Sequence, residues 1–316
     1  MLNLSDDVFS KMKRLRLLRV LCVSNCDDLK YLSDELRFLD WTEYPLRSLP
    51  SSFQPDNLVV LLLPYSRIEQ LWKGNRPLYK LKIISLKGSQ NLIKTPNFTT
   101  APYLEVLIME GCTRLVDVHP SLGVLKRLKL LNIRDCKSLR SLPTKIGMES
   151  LETLILSGCS NLARFPEIDG KMEHLKALDL SDCYKVEYLP ESLHQAESLE
   201  ELDLSKTAIK EPPSFISQLK NLKVLYFGGC KGPCKLKRNL LSLFKVSQRG
   251  RMNSIASMLP SLSGLSSLTR LKLRDCNLGE GDISSAISCL SSLTYLELNG
   301  NNFNKNTGIS YWTLQA

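Results

Sequence analysis

A period of 21 to 25 residues dominates this chain and leaves it few ways to fold. The pattern Leu-x-x-Leu-x-Leu-x-x-Cys-x-x-Leu-x-x-Leu-Pro runs through Leu128, Leu131, Ile133, Cys136, Leu139, Leu142 and Pro143. It recurs at Leu151, Leu154, Leu156, Cys159, Leu162, Phe165 and Pro166, and again at Leu175, Leu178, Leu180, Cys183, Val186, Leu189 and Pro190. The preceding unit, Leu104 to Val118, departs only by moving its proline to Pro120. Further units begin at Leu15, Leu36, Leu58, Leu81, Leu199, Leu222, Leu268 and Leu293. One step, from Leu222 to Leu268, is 46 residues, twice 23. A degenerate unit is therefore expected inside it, which gives twelve or thirteen repeats in all.

The spacing dictates the architecture. Leu-x-Leu alternation matches a strand, in which successive side chains point to opposite faces. Repeated coils of this length stack their strands into one parallel sheet and bury a continuous core between neighbours. The expected fold is an α/β leucine-rich-repeat solenoid, a curved horseshoe. Its concave face is a parallel β-sheet, and its convex face carries irregular or 3₁₀ turns and short helices. At about 4.8 Å per strand, twelve strands give an inner surface roughly 55 Å long. The repeat domain is expected over residues 1–303, with an irregular basic insertion at about 229–262 and a non-repeat tail at 304–316.

Six of the ten cysteines, Cys112, Cys136, Cys159, Cys183, Cys230 and Cys276, occupy one position of the repeat. Many such repeats carry asparagine there. A small, mildly polar side chain at this point can meet the backbone of the adjacent coil, so the set reads as a ladder of buried thiols. Zinc needs a tetrahedral cluster of ligands, which single thiols in a stack without matching histidines do not supply. The start of the chain lacks the basic and apolar regions of a secretory signal, and reduced thiols in a cytosolic or nuclear setting are expected. No apolar run approaches the ~18 residues of a membrane span. No Gly-x-x-x-x-Gly-Lys-Ser/Thr loop occurs, and the glycine-rich stretch Gly228 to Lys235 has the wrong spacing for one. Neither a cofactor nor a metal is expected. No catalytic constellation emerges from the register, with His119, His174 and His194 assigned to the outer face or to turns.

Particular stretches go beyond the repeat consensus. ELRFLDWTEYPLRSLPSSFQPDNLVVLLLPYSRIEQLWKG (Glu35 to Gly74), LKIISLKGSQNLIKTPNF (Leu81 to Phe98) and LEVLIMEGCTRLVDVHPSLG (Leu104 to Gly123) are three of them. MESLETLILSGCSNLARFPEI (Met148 to Ile168), LDLSKTAIKEPPSFI (Leu202 to Ile216) and LKVLYFGGCKGP (Leu222 to Pro233) are others. Together they resemble the repeat region of plant TIR-type nucleotide-binding leucine-rich-repeat disease-resistance proteins, over about residues 9 to 303. That resemblance implies an intracellular immune receptor. In such a receptor the repeats restrain a nucleotide-binding switch and take part in recognising a pathogen effector or a guarded host protein. It also implies upstream TIR and nucleotide-binding domains, which this sequence does not contain, and a post-repeat domain, which it also lacks. A fragment or a truncated product is the expectation.

The residues between the core leucines form the candidate docking face. Its central column reads Asp40, Leu62, Ser85, Ile108, Asn132, Ile155, Asp179, Asp203, Tyr226, Lys272 and Glu297. Residues 167 to 211 hold twelve acidic and five basic side chains. Asp179, Asp182, Glu200, Glu201 and Asp203 are the acidic candidates for contact with a basic partner or with the receptor's own switch domain. Leu62, Ile108, Ile155 and Tyr226 are apolar candidates, and Lys272 a basic one. Residues 212 to 274 contain twelve Lys or Arg and no acid, so the net charge of +10 is local in origin. Without a recognition helix, this run reads as a basic loop, and nucleic acid is the least favoured partner. Trp41, Tyr44, Tyr65 and Trp72 are expected to pack the first coils against a neighbouring domain. The alternatives are a stand-alone adaptor or decoy and an extracellular repeat protein, for which the sequons at Asn3 and Asn97 give slender support.

Overall fold

The computed structural model describes residues 8–21, 29–72, 78–209, 213–229, 262, 264–276, 278, 287 and 289–303. Each Leu-x-x-Leu-x-Leu segment forms a short strand. The strands are β1 (Leu17–Val20), β2 (Phe38–Trp41), β3 (Val60–Leu62), β4 (Ile83–Ser85), β5 (Val106–Ile108) and β6 (Leu130–Asn132). Two short outer-face strands, β7 (Lys145–Ile146) and β9 (Glu167–Ile168), flank β8 (Thr153–Ile155) in sequence. The series continues with β10 (Ala177–Asp179), β11 (Glu201–Asp203), β12 (Val224–Gly228), β13 (Arg270–Arg274) and β14 (Tyr295–Glu297). Twelve of these strands pair in parallel, in chain order, as one sheet, while β7 and β9 pair with each other outside it.

The register is uniform. Leu39, Leu61, Ile84, Leu107, Leu131, Leu154, Leu178, Leu202, Leu225, Leu271 and Leu296 lie side by side along the sheet. All are buried. A one-residue slip in any strand would turn its leucine out to solvent, so burial itself fixes the alignment. β12 pairs directly with β13, Val224 beside Arg270 and Leu225 beside Leu271. The thirteenth coil expected inside the 46-residue step therefore adds no strand to the sheet.

Beyond each strand the backbone turns through the left-handed region. Glu43, Tyr65, Gly88, Gly111, Asp135, Gly158, Asp182, Lys206, Gly229, Asp275 and Gly300 hold equivalent places and all have positive φ. The reason is a hydrogen bond. The amide of Gly88 donates to Glu110 O at 2.7 Å, that of Asp135 to Ser157 O at 2.8 Å, and that of Asp182 to Ser205 O at 2.9 Å. The turn thus extends the inter-coil ladder past the strand, and it does so at the cost of a strained dihedral wherever the residue is not glycine.

The cysteine ladder lies next. Cys112, Cys136, Cys159 and Cys183 are fully buried, and their thiols donate to Leu86 O, Met109 O, Ile133 O and Leu156 O at 3.1–3.2 Å. Each acceptor sits one coil back. Cys276 reaches Phe227 O at 3.5 Å. Ser89 donates to Leu63 O, and Asn301 to Leu273 O, in the equivalent contact. Cys230 lies outside the described residues. On the convex side, 3₁₀ turns Phe98–Thr100, Pro120–Val124, Glu191–Gln195 and Ser214–Gln218 close the coils. His119 caps the second of these, accepting from the Ser121 amide. His174 and His194 lie exposed on the same outer side, as expected.

Trp41 and Tyr44 depart from the sequence reading. Both are completely buried, edge to face with ring centroids 5.3 Å apart, and Phe9 packs on the other side of Trp41. They fill the core of the first coils instead of facing outward. Trp72 packs edge to face on Phe98, and only Tyr65 of the four is exposed.

Candidate functional site

The concave face presents two columns of side chains, because a three-residue strand directs its first and third residues to the same side. The column expected from sequence is present in register. Leu62 stands beside Ser85, then Ile108, Asn132, Ile155, Asp179, Asp203, Tyr226, Lys272 and Glu297. A second column, overlooked in the sequence reading, runs parallel to it. It comprises Phe38, Val60, Ile83, Val106, Leu130, Thr153, Ala177, Glu201, Val224, Arg270 and Tyr295. The signal for it was available: it is the position directly before each middle leucine.

Together the columns divide the face. From β2 to β8 it is mainly apolar, built from half-buried Phe38, Val60, Leu62, Ile83, Val106, Ile108, Leu130 and Ile155, with Asp40, Ser85, Asn132 and Thr153 interrupting the columns. A contiguous set of large apolar groups left at the surface marks a contact site. Both rims of this stripe carry ion pairs, with two lysines sharing one glutamate on the entry side. On the entry side Glu105 takes Lys82 at 2.9 Å and Lys129 at 3.2 Å, which together hold its carboxyl below the usual range. On the exit side Lys87 pairs with Glu110 at 3.1 Å, and Asn132 also donates to Glu110.

From β10 onward the face is polar, and the five acidic candidates separate. Asp179 accepts from the Ser181 amide and hydroxyl at 3.0 and 2.6 Å and from Arg134 at 3.3 Å. Asp203 accepts from the Ser205 amide at 2.8 Å. Burial pushes the Asp203 carboxyl upward, outweighing the Ser205 contacts. Both aspartates thus fasten the strand exit, as Asn132 does through the Arg134 amide. Asp182 sits beyond the strand in the left-handed turn. Burial raises its carboxyl, but the Tyr184 hydroxyl at 2.6 Å and Lys206 at 2.9 Å together bring it below the ordinary value. Glu200 lies at the entry rim, held low by Lys223 at 2.7 Å. Of the five, Glu201 alone stands exposed on the inner face, with no ion pair among the described residues.

Around β12 to β14, Lys272 lies over the Tyr226 ring at 4.2 Å and approaches Tyr295 at 5.9 Å and Glu297 at 3.8 Å. This cation–π cluster uses Tyr226 as a platform, so the residue is less an apolar contact than part of a polar group. The exit edge beside Arg134 holds a shallow depression of about 540 Å³ lined by Asp135, Ser157, Ser181 and Tyr184, among others. Among the described residues there is no cluster of three or more metal-ligating side chains, and no helix long and apolar enough to cross a membrane. The basic residues Lys231, Lys235, Lys237, Arg238, Lys245, Arg249 and Arg251 lie outside the described residues.

A family model described as a leucine-rich repeat region matches residues 167–312. Disease resistance protein RPP2A of Arabidopsis thaliana is 43% identical over 128 residues, covering 38% of this chain and 10% of that protein. Disease resistance protein RPV1 of Vitis rotundifolia is 37% identical over 150 residues, covering 39% and 11%. The chain is a leucine-rich-repeat solenoid whose repeats are similar to those of plant disease-resistance proteins. It spans about a tenth of the length of the curated relatives it matches. Among solved structures, the leucine-rich repeat domain of the type III effector XopL matches 61% of this chain and 69% of its own, with a TM-score of 0.51 and 26% identity. The disease-resistance resemblance noted in the sequence and the repeat architecture thus agree.

Proposed function

We propose that this chain is the recognition and restraint region of an intracellular plant immune receptor, and that its concave face binds a pathogen effector or a guarded host protein. One observation carries this reading: the inner sheet presents a run of half-buried apolar side chains between Phe38 and Ile155, unbroken across adjacent rungs at Phe38, Val60, Ile83, Val106 and Leu130. Such residues do not stabilise the solenoid as the buried leucines do. They are what a protein interface uses at its centre. The disease resistance relatives support the immune setting. The remainder of the face, or the first coils, holds a nucleotide-binding switch domain at rest, and the setting is cytoplasmic. Catalysis would belong to a separate domain of a longer parent.

The test is expression of the gene product that carries these repeats in leaf tissue challenged with a pathogen panel. Ile83→Glu with Ile108→Glu should abolish the pathogen-triggered cell death of the wild type while protein accumulation stays level. Separately, charge reversal on the polar half, Glu201→Lys, should raise cell death without a pathogen if that half contributes to restraint. Undiminished, pathogen-dependent death in every face variant would sink the reading.

A further inference from the structure

The stripe and its charged end together specify the shape of what docks there. We infer that the occupant of the concave face is an amphipathic α-helix laid across the strands. Its apolar stripe seats on β2 to β8, and basic side chains at one end meet Glu201. The inference rests on the reading of this face as a protein-binding surface.

The pitch of the sheet decides between helix and strand. Neighbouring rungs are about 4.8 Å apart. A helix lying along the arc brings one face round about every 5.4 Å. Over the five rung spacings of the stripe, β2 to β8, the mismatch is roughly 3 Å, and over all seven to β11 roughly 4.2 Å, still under one rung. An extended segment repeats a face about every 6.7 Å and is out of step by more than a rung within three repeats. The two columns stand roughly 6.6 Å apart, two residues along a strand, and the apolar stripe of a helix is about as wide. Helix-in-groove recognition repeats its anchors every three to four residues, so successive turns would meet successive rungs, Val60, Ile83, Val106 and Leu130 in one column and Leu62, Ile108 and Ile155 in the other.

Charge sets the polarity of the partner. The rims beside the stripe are already paired, Lys82 and Lys129 with Glu105, and Lys87 with Glu110. These contacts leave one lysine in excess, so the rims do not extend the acidic end. The two rungs beyond the stripe hold Asp179, Glu201 and Asp203; Asp179 is engaged by Arg134 and Ser181, and Asp203 by Ser205 with Lys272 nearby, which leaves Glu201 open. Glu201 is exposed and lacks an ion pair among the described residues, so a cation there gains a partner without displacing one. From β2 to β11 is seven rung spacings, roughly 34 Å, the length of a helix of about 22 residues.

The test is selection from a phage-displayed library of unbiased peptides of about 20 residues on the purified full chain, with counter-selection on Ile108→Glu. Expected are enriched sequences with apolar residues at helical period and Lys or Arg at one end. Synthetic versions should gain helical circular dichroism on binding and bind Ile108→Glu at least tenfold more weakly. Selection on Glu201→Lys should replace the basic end by an acidic one. Enrichment of alternating or proline-rich peptides that still lose binding to Ile108→Glu would overturn the helix while leaving a protein-binding face. Enrichment that ignores both substitutions would overturn the helix and count against the face itself. Circular dichroism and melting of each variant confirm its fold, since both residues lie outside the buried leucine rows.

Discussion

The thiol of Cys136 donates to the carbonyl oxygen of Met109, one coil back, at 3.1 Å. Asn301 makes the equivalent contact to Leu273 at 2.7 Å and adds another, accepting from the Cys276 amide at 2.9 Å. The cysteine keeps the donor of the asparagine and gives up its acceptor. Met109 O also accepts from the Cys112 amide at 3.1 Å, so removing the thiol does not orphan it. Cys136→Ala should therefore cost only about 1 kcal/mol for the bond, plus the small void. Cys136→Ser should recover part of that loss. Denaturant melts of the two variants against wild type check the order.

Burial also makes the ladder chemically silent. It drives the Cys112 and Cys159 thiols up to about 12, and it raises those of Cys136 and Cys183 as well. The thiolate is the reactive form, so these four should resist alkylation in the native protein at pH 8. Exposed Cys289 should label under the same conditions. Mass spectrometry of the alkylated peptides, before and after unfolding, reads the pattern directly. Rapid native labelling of Cys136 would mean that the middle coils open.

Much of this molecule was legible because burial and spacing are the same fact in a repeat. The middle leucine of each unit, such as Leu154 or Leu178, had to be inside, and its neighbour Ile155 or Asp179 had to face the concavity. What escaped was anything set by contact between coils. No period distinguishes Asp179, which fastens the strand exit through Ser181, from a carboxylate free to meet a partner. Glu200 and Glu201 are adjacent in sequence, yet one lies on the rim against Lys223 and the other stands open on the face. Trp41 was expected to pack against a neighbouring domain, although it holds the inward last-leucine slot of its unit, as Leu63 and Leu86 do in theirs. It is buried because Phe9 and Tyr44 enclose it. The doubled step after Leu222 has the arithmetic of a hidden coil, but sheet pairing, which arithmetic does not see, passes straight from Val224 to Arg270.

Gly158 sits in the left-handed turn with φ of +74°. A Cβ there would collide with the carboxylate of Asp135 in the preceding coil. The carboxylate can swing away, but the backbone strain stays. Gly158→Ala should thus destabilise the chain by about 1–2 kcal/mol. Combining it with Asp135→Gly should relieve the collision and relax the neighbouring turn, recovering part of the loss. Thermal unfolding of the single and double variants measures the coupling, and equal losses in both would remove the steric component.

Asp203 carries a carboxyl whose pKa is raised in the folded chain by burial. The folded state therefore prefers the protonated form. The associated stability is fully present below the unfolded pKa, about 3.9, and is lost as pH rises through the folded value. Asparagine would keep the acceptor that Ser205 needs, as Asn132 does for the Arg134 amide, and would not ionise. Asp203→Asn should melt above wild type at pH 7, and the difference should vanish below about pH 4. A difference that persisted at low pH would assign the effect to packing.

Leu154 and Ile155 are consecutive, similar in size and opposite in role. Leu154 is buried between Leu131 and Leu178, whereas Ile155 is half-buried on the concave face beside Asn132 and Asp179. Truncating the first removes core contacts from two neighbouring coils and leaves a cavity, which costs about 2–5 kcal/mol. Truncating the second uncovers little and should stay within about 1 kcal/mol. Because each coil contacts only its neighbours, Leu154→Ala should also broaden the unfolding transition by weakening the junction between the two halves of the stack. Ile155→Ala should leave the transition as sharp as wild type while weakening any partner seated on the apolar stripe. Equilibrium unfolding with paired binding measurements separates the two. A large stability loss in Ile155→Ala would return that residue to the core and shorten the docking stripe by one rung.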